Sequence, residues 1–247
     1  MLSSIYPLVA VYFVIGIMAI GLINKKKTQT ATDRKNRWIK YVWYLLIVNV
    51  VILSIHFSLF YLLSWIIAAI AVFEFARMFL HTGIKNRFYF GIPFLVVISV
   101  FVVASGQLNA YEAGYVYTLV FCFDGFAQII GQLLGKRQIT PRWSPNKTVG
   151  GFIGAFLITV ATSFYYMMNV VKIEGVDLLK VLLFGVLISL FAFGGDILAS
   201  LFKRVCGEKD YSNLIPQHGG VLDRFDSFIF ALSGYYCISQ LLQFNGF

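Results

Sequence analysis

The sequence is poor in charge. Aspartate, glutamate, lysine and arginine make up only 13% of its 247 residues, whereas hydrophobic residues make up 59%. A soluble domain carries about 25% charged residues, so this composition argues against one. A membrane-spanning helix needs about 20 consecutive apolar residues, and the mean hydropathy of +0.80 is typical of a chain that contains several of them. We therefore predict an all-α fold, a polytopic transmembrane helical bundle.

Cysteine and several well-known catalytic motifs are also scarce or absent. Cys122, Cys206 and Cys237 are far apart and form no CxxC or Cys/His metal spacing, so thiols without a role are expected. The sequence has no P-loop, no HExxH and no Ser-His-Asp arrangement. The N-terminus lacks the basic region and the cleavage site of a signal peptide, so we expect its apolar run to persist as the first span.

Hydropathy predicts about eight spans in one integral membrane domain, 1–247, with no repeat and no soluble domain boundary. The apolar run 41–75 is too long for one span, and we divide it near His56-Phe57-Ser58 into two short, tilted spans. The basic segment 25–40 before it is expected to be a loop. The predicted spans are 5–23, two within 41–75, 88–104, 115–134, 149–171, 178–199 and 225–242.

The basic residues are distributed asymmetrically between the predicted loops. With eight spans, 18 of the 20 lysines and arginines fall on one side, and only Lys172 and Lys180 fall on the other. Cytoplasmic loops carry such an excess, so we predict that both termini face outward and that loop 200–226 faces the cytoplasm. The net charge of +9 therefore fits membrane topology and an anionic lipid or nucleotide better than it fits nucleic acid.

One polar stretch, 200–226, reads SLFKRVCGEKDYSNLIPQHGGVLDRFD and holds four of the eleven acidic residues and four bases. Carboxylates beside lysines, with glycines where backbone amides can approach a ligand, suit a metal-bound polyphosphate. The stretch resembles the signature of the phosphatidate cytidylyltransferases (CDP-diacylglycerol synthases). The elements of this resemblance are Ser200, Lys203-Arg204, Lys209-Asp210, Pro216, His218-Gly219-Gly220 and Asp223-Arg224-Phe225-Asp226. It begins near residue 121, so 121–247 is expected to be the catalytic half and 1–110 a divergent set of spans.

A second element, Ser144-Pro145-Asn146-Lys147-Thr148, resembles the Ser-Pro-x-Lys-Thr of the same family. Such a turn before a span offers amides, a helix N-terminus and an ammonium to phosphate oxygens. A plain basic cytoplasmic loop is the alternative. The family usually has Glu-Gly two residues after the threonine, where this sequence has Gly150-Gly151, so a role for that glutamate is not expected here.

Single polar residues inside the predicted spans leave alternatives open. A carboxylate at the depth of Asp124 costs about 3 kcal/mol, so it is either a protonated aspartate bonded to a neighbouring helix or a site residue near the metal. The resemblance favours the site residue, because a similar aspartate opens this segment in the family. Glu74 and Arg77, three residues apart, are expected to pair at a membrane boundary. His218 orients phosphate, transfers a proton or only shapes a turn.

Two carboxylate groupings recur at helical spacing. Asp196, Ser200 and Lys203 share one face of a helix and could hold a metal with its phosphate, or they are snorkelling bases beneath a structural aspartate. Asp223 and Asp226 also share a face, at the start of the last span. That spacing suits magnesium, which takes one or two carboxylates, whereas the alternative is capping of the helix N-terminus.

The resemblance implies an enzyme that joins CTP to phosphatidate with one or two Mg²⁺ ions. It also implies a homodimer in the bacterial inner membrane, with the active site on the cytoplasmic side. The residues expected to be catalytic are Asp196, Lys203, Asp223 and Asp226, and those expected to hold metal are Asp124, Asp196, Asp223 and Asp226. The residues expected to bind substrate are Ser144, Lys147, Thr148, Ser200, Arg204, Lys209, Asp210, His218, Gly219, Gly220 and Arg224. A cytidylyltransferase for another lipid phosphate, a CTP-dependent polyprenol kinase and a transporter remain alternatives.

Overall fold

The computed structural model describes residues 2–25, 30–81, 88–172, 177–215 and 219–242. Within those ranges the chain forms eight α-helices, a π-helical turn (Met167–Val171) after the sixth helix, and one short β-hairpin. The helices are α1 (Leu2–Asn24), α2 (Ala31–His56), α3 (Phe60–His81), α4 (Phe88–Gln107), α5 (Ala110–Leu134), α6 (Val149–Tyr166), α7 (Leu178–Val205) and α8 (Leu222–Leu241). The hairpin joins α5 to α6 and pairs β1 (Gln138–Thr140) with β2 (Ser144–Thr148) antiparallel.

The helices form a membrane bundle. Within the described ranges, α1 to α7 are long and apolar enough to cross a membrane. Large apolar side chains remain exposed along the outer helices, among them Val14, Leu46, Ile66 and Val96, as expected where lipid replaces water. The eighth helix is more polar, but its 20 residues reach about 30 Å, the thickness of the hydrocarbon core. The predicted all-α bundle is therefore confirmed.

Helix α5 lies at the centre of the bundle and contacts α1, α2, α6, α7 and α8. It begins at a capping box, in which the Asn109 side chain accepts from backbone amides and the Glu112 carboxylate accepts from the Asn109 amide. Most of its first half is buried, including Tyr115, Val116 and Leu119. This central position carries the polar second half of α5, with Asp124, to the floor of the cavity described below.

The predicted division of the long apolar run is confirmed, but the start of the second helix is not. A break separates α2 from α3, and Ser58 there takes a left-handed φ of 57°. The basic segment 25–40 was predicted to be a loop, whereas α2 already begins at Ala31. Thr30 and Asp33 form a capping box at that point, and the arginines and lysines that follow are good helix formers. Hydropathy detects only the apolar part of a helix, so it cannot detect polar first turns that lie outside the membrane.

The segment between α5 and α6 is more regular than the predicted turn. Ser144 to Thr148 is a β-strand, and Thr148 then caps α6, because its Oγ1 accepts from the Gly151 amide at 3.1 Å. The hairpin thereby fixes Lys147 immediately before the N-terminus of α6. This end of the molecule, where α5 and α7 end and α6 and α8 begin, is called the hairpin end below.

Candidate active site

A cavity of about 770 Å³ opens at the hairpin end between α1, α2, α5, β2, α7 and α8. It gathers most of the residues predicted from the sequence, although they are spread over about 100 positions. The predicted residues that line it are Asp124, Ser144, Lys147, Thr148, Asp196, Lys203, Asp210, Asp223, Arg224 and Asp226. The cavity therefore combines six cations and five carboxylates with an apolar wall.

Asp223 is held by contacts on both carboxylate oxygens. Its Oδ1 lies 2.5 Å from Lys203 Nζ, and its Oδ2 accepts from the backbone amides of Tyr211 at 2.7 Å and Gly220 at 2.8 Å. The Asp223 side chain is only 1% exposed. Buried charges need such pairing, because an isolated one is strongly unfavourable. Asp223 therefore holds the Lys203 ammonium in place, and both of its oxygens have partners among the described residues.

The two glycines before α8 allow the backbone to reach Asp223. Gly219 has a φ of +82°, and a Cβ there would lie 2.7 Å from Asp223 Oδ2. Both the left-handed backbone and the close approach require glycine. These glycines were predicted to bind substrate, and that stays a prediction; in the structure they let the backbone approach the Asp223 carboxylate.

Lys147 and Asp196 form a second ion pair, 2.7 Å between Nζ and Oδ2, and Ser200 Oγ donates to Asp196 Oδ1 at 3.3 Å. The buried Lys147 nitrogen makes no hydrogen bond to the described residues, because its approach to Asp196 lacks hydrogen-bond geometry. It also lies 4.8 Å from the centroid of the Phe193 ring. An ammonium has three N–H donors, so Lys147 retains donors that can serve an anionic ligand.

Three carboxylates come together on the floor of the cavity. Asp124 is within electrostatic range of Asp196 and Asp226, and Asp226 Oδ1 accepts from the Ser227 amide at 2.7 Å. Among the residues that the structure describes, neither Asp124 nor Asp226 belongs to an ion pair. Like charges this close repel one another unless a cation or a proton lies between them.

The described ranges contain no group of three or more His, Cys, Asp or Glu that could hold a metal by themselves. Magnesium, however, is usually bound through one or two carboxylates, with water and phosphate oxygens completing its shell. The carboxylate cluster of Asp124, Asp196 and Asp226 has donors of that kind. The residues present therefore fit a divalent cation that shares its coordination with a phosphate ligand.

Tyr211 packs over the Lys203–Asp223 pair, with Lys203 Nζ 5.0 Å from its ring centroid. Burial raises the pKa of Tyr211 well above its usual value, and the nearby Asp226 and Asp223 carboxylates raise that pKa further. The phenol is therefore neutral at physiological pH. It covers the ammonium from one side without adding charge.

Glu74 of α3 is a residue that the sequence prediction misjudged. It was expected to pair with Arg77, but it forms no ion pair in the described part of the chain. Its fully buried carboxylate instead accepts from Ser212 Oγ at 2.6 Å and from the amides of Val221 and Leu222 at 3.0 and 2.8 Å. The pairing prediction was wrong because the Glu74 side chain is buried against the unpaired amides at the start of α8, whereas Arg77 is exposed.

Some predicted substrate residues lie outside the cavity. Arg204 donates to the backbone carbonyls of Trp143 and Glu208, at 3.3 and 3.1 Å, and so braces the hairpin. Lys209 is exposed, and Ser200 reaches the site only through Asp196. His218 lies outside the described residues.

Other cavity residues were missed altogether. Arg37, Lys40 and Tyr44 of α2 line the cavity, as does Lys136 after α5. Their positions in a predicted basic loop or apolar run carried no motif. The signal that could have identified Arg37 and Lys40 is the start of a helix before the apolar run.

Comparison with known proteins places these features in a family. The sequence model of the cytidylyltransferase family matches residues 5–242. Proteins named phosphatidate cytidylyltransferase from Staphylococcus epidermidis and Staphylococcus saprophyticus are 38% and 36% identical to this chain over 156 residues. The one from Staphylococcus aureus strain COL is 38% identical over 162 residues. Each alignment covers 60% of this chain and 59% of the relative.

Proposed function

The chain belongs to the cytidylyltransferase family, and on that premise we propose that it transfers the cytidylyl group of CTP to phosphatidate. The products are CDP-diacylglycerol and pyrophosphate. The names of its Staphylococcus relatives support this substrate pair. One structural observation carries the proposal: a cavity lined by paired lysines and carboxylates opens at one end of an apolar helical bundle. There a soluble triphosphate can meet a lipid headgroup that stays in the membrane.

In the proposed reaction an oxygen of the phosphatidate phosphate attacks the α-phosphorus of CTP. A new P–O bond forms, the bond from the α-phosphorus to the oxygen bridging to the β-phosphate breaks, and pyrophosphate leaves. A phosphomonoester has a second pKa of about 6, so it is mostly dianionic at neutral pH and needs no strong general base. The main obstacle is the repulsion between two anions, and fixed cations that orient both remove it.

Two lysines are placed for this task. Lys147 has unused donors and precedes the N-terminus of α6, where unpaired amides also favour an anion. Lys203 is held by Asp223, which is itself fixed by two amides. We assign both ammonium groups to phosphate oxygens of the substrates, since neither can swing away without breaking an ion pair. Arg224 lines the same cavity and adds a third positive charge.

A magnesium ion is part of the proposal. Asp196 and Asp226 would hold it, with Asp124 in support, since these three carboxylates line one cavity within electrostatic range of one another. When bound, the ion would neutralise charge on the triphosphate. Asp223 was also predicted to bind metal. Its side chain is 1% exposed and accepts from one ammonium and two amides, whereas the Asp196 side chain is 35% exposed, so we propose that Asp223 positions Lys203 instead. We propose that the site faces the cytoplasm of a bacterial cell, and the homodimer stays a prediction.

Labelled CTP tests the reaction class. Purified protein in detergent should move label from the α-phosphate of CTP into a phosphatidate-derived lipid, and label at the γ-phosphate should appear only in pyrophosphate. Omission of magnesium should abolish the transfer. Label from the γ-phosphate in the lipid would instead identify a CTP-dependent kinase and overturn the proposal.

A further inference from the structure

The cavity has two sides with different charge balance. On the side formed by α5, α7 and α8, Lys147 and Lys203 are each paired with an aspartate. On the side formed by α2, Arg37 and Lys40 line the wall. Arg37 donates to the side chain of Asn24, which ties α2 to the end of α1. The positive charge of Lys40 is the unexplained feature of this side.

Lys40 is exposed to the cavity and has no carboxylate within ion-pair distance among the residues that the structure describes. The cations Arg37, Lys209 and Arg224 lie within electrostatic range of it, as does the Asp210 carboxylate. Like charges gathered at one place repel one another, and a bound anion relieves that repulsion. The α2 side of the cavity is therefore an anion site in its own right.

The wall beneath Lys40 is apolar. On α2 the cavity residues recur at 37, 40, 41, 44 and 47, which is one face of a helix. This face runs about 15 Å into the bundle at 1.5 Å per residue, and it changes from basic residues to Tyr41, Tyr44 and Ile47. The facing stripe on α1 comprises Tyr12, Phe13, Gly16, Ala19, Ile20 and Ile23. A ligand that fits both stripes and the cations has an anionic head and a long apolar chain.

We propose that Lys40, together with Arg224 of the same cavity, binds the phosphate of the lipid substrate, while the stripes on α1 and α2 receive its acyl chains. This inference rests on the proposed function, because it divides one cavity between two substrates. The nucleotide triphosphate occupies the side with Lys147 and the carboxylate cluster. A nucleotide offers nothing to fill a 15 Å apolar wall, whereas a diacyl lipid does.

The test compares Lys40→Ala, Lys40→Arg and a matched control, Lys35→Ala, in the full-length protein. Lys35 lies on the same helix and is exposed, but it does not line the cavity. Binding of dioctanoyl phosphatidate and of dioctanoylglycerol is measured by calorimetry in detergent without CTP. Lys40→Ala should weaken phosphatidate binding about tenfold, the size of one hydrogen bond to a charged group. Lys40→Arg and Lys35→Ala should stay within about twofold of the wild type.

Steady-state kinetics then separates the two substrates. Lys40→Ala should raise KM for phosphatidate about tenfold and leave KM for CTP within twofold. Unchanged phosphatidate binding by Lys40→Ala would overturn the inference. A raised KM for CTP alone would also overturn it and would assign Lys40 to the nucleotide. If the wild type binds phosphatidate through Lys40 but forms no CDP-lipid, the inference stands and the proposed function fails.

Discussion

Asp223 and Asp226 are one helical turn apart, yet their surroundings indicate different roles. Asp223 accepts one ammonium and two backbone amides and is almost fully buried. Asp226 lines the same cavity without an ion pair among the described residues. Two carboxylates that look equivalent in the sequence are therefore a positioning residue and a candidate ligand residue.

Replacement of each by asparagine should separate these roles. Asp223→Asn leaves the Lys203 ammonium buried without its counter-charge, which typically costs about 3–5 kcal/mol of unfolding free energy. Asp226→Asn removes charge from a repelling cluster, so stability should be retained or increase while magnesium-dependent CTP turnover falls at least about 100-fold. Thermal unfolding in detergent and CTP turnover measure the two effects. Equal destabilisation by both changes would contradict the assignment.

At the scale of elements, the packing of α5 on α6 positions Lys147 and Asp124 relative to each other. A Cβ at Gly151 of α6 would lie 2.6 Å from the Ala127 carbonyl oxygen of α5. At the neighbouring Gly150, the nearest atoms would be 3.8 Å away. Small residues of this kind let transmembrane helices approach closely. Gly150 thus has room for a methyl group, and Gly151 has none.

The pair Gly151→Ala and Gly150→Ala tests this contact. Gly151→Ala should lower the unfolding free energy by about 1–3 kcal/mol, because the helices must separate to admit the methyl group. Gly150→Ala should be neutral or stabilising by up to about 1 kcal/mol, the usual helix preference for alanine. The measurement is thermal unfolding followed by circular dichroism. A similar loss in both variants would show that the close approach is not what Gly151 provides.

At the scale of the whole molecule, the basic residues predict which end of the bundle faces the cytoplasm. The hairpin carries Lys136, Arg137 and Arg142, whereas the opposite end carries Lys172 and Lys180. By the positive-inside rule we expect the hairpin end to face the cytoplasm, where CTP is found. The same orientation would bring the lipid headgroup and the nucleotide to one surface.

Single cysteines test this orientation in a Cys237→Ser background, since Cys237 is the exposed native thiol in the described part of the chain. A membrane-impermeant maleimide applied to intact cells should label Lys180→Cys and spare Arg142→Cys. After permeabilisation both should react, because both positions are exposed. Labelling of Arg142→Cys in intact cells would place the active site outside and refute the topology.

Local signals in the sequence were enough for the number of helices and for the family, although not for every helix boundary. Apolar runs of membrane length specify where helices lie, because each span must satisfy its backbone hydrogen bonds internally, whatever surrounds it. The acids and bases of 200–226 and the lysine before α6 were recognisable as phosphate chemistry from their types and spacing alone. The break at Ser58 was also readable, since a run of that length does not fit one span.

Only the tertiary structure decided which partner each charge takes. Lys203 meets Asp223 across 20 positions, Lys147 meets Asp196 across 49, and Glu74 reaches the start of α8 across 147. Helical periodicity carries no information at such separations, because it describes one helix and not its neighbours. The sequence thus indicates the chemistry that we propose, whereas the different surroundings of the carboxylates come from the packing of helices that are distant along the chain.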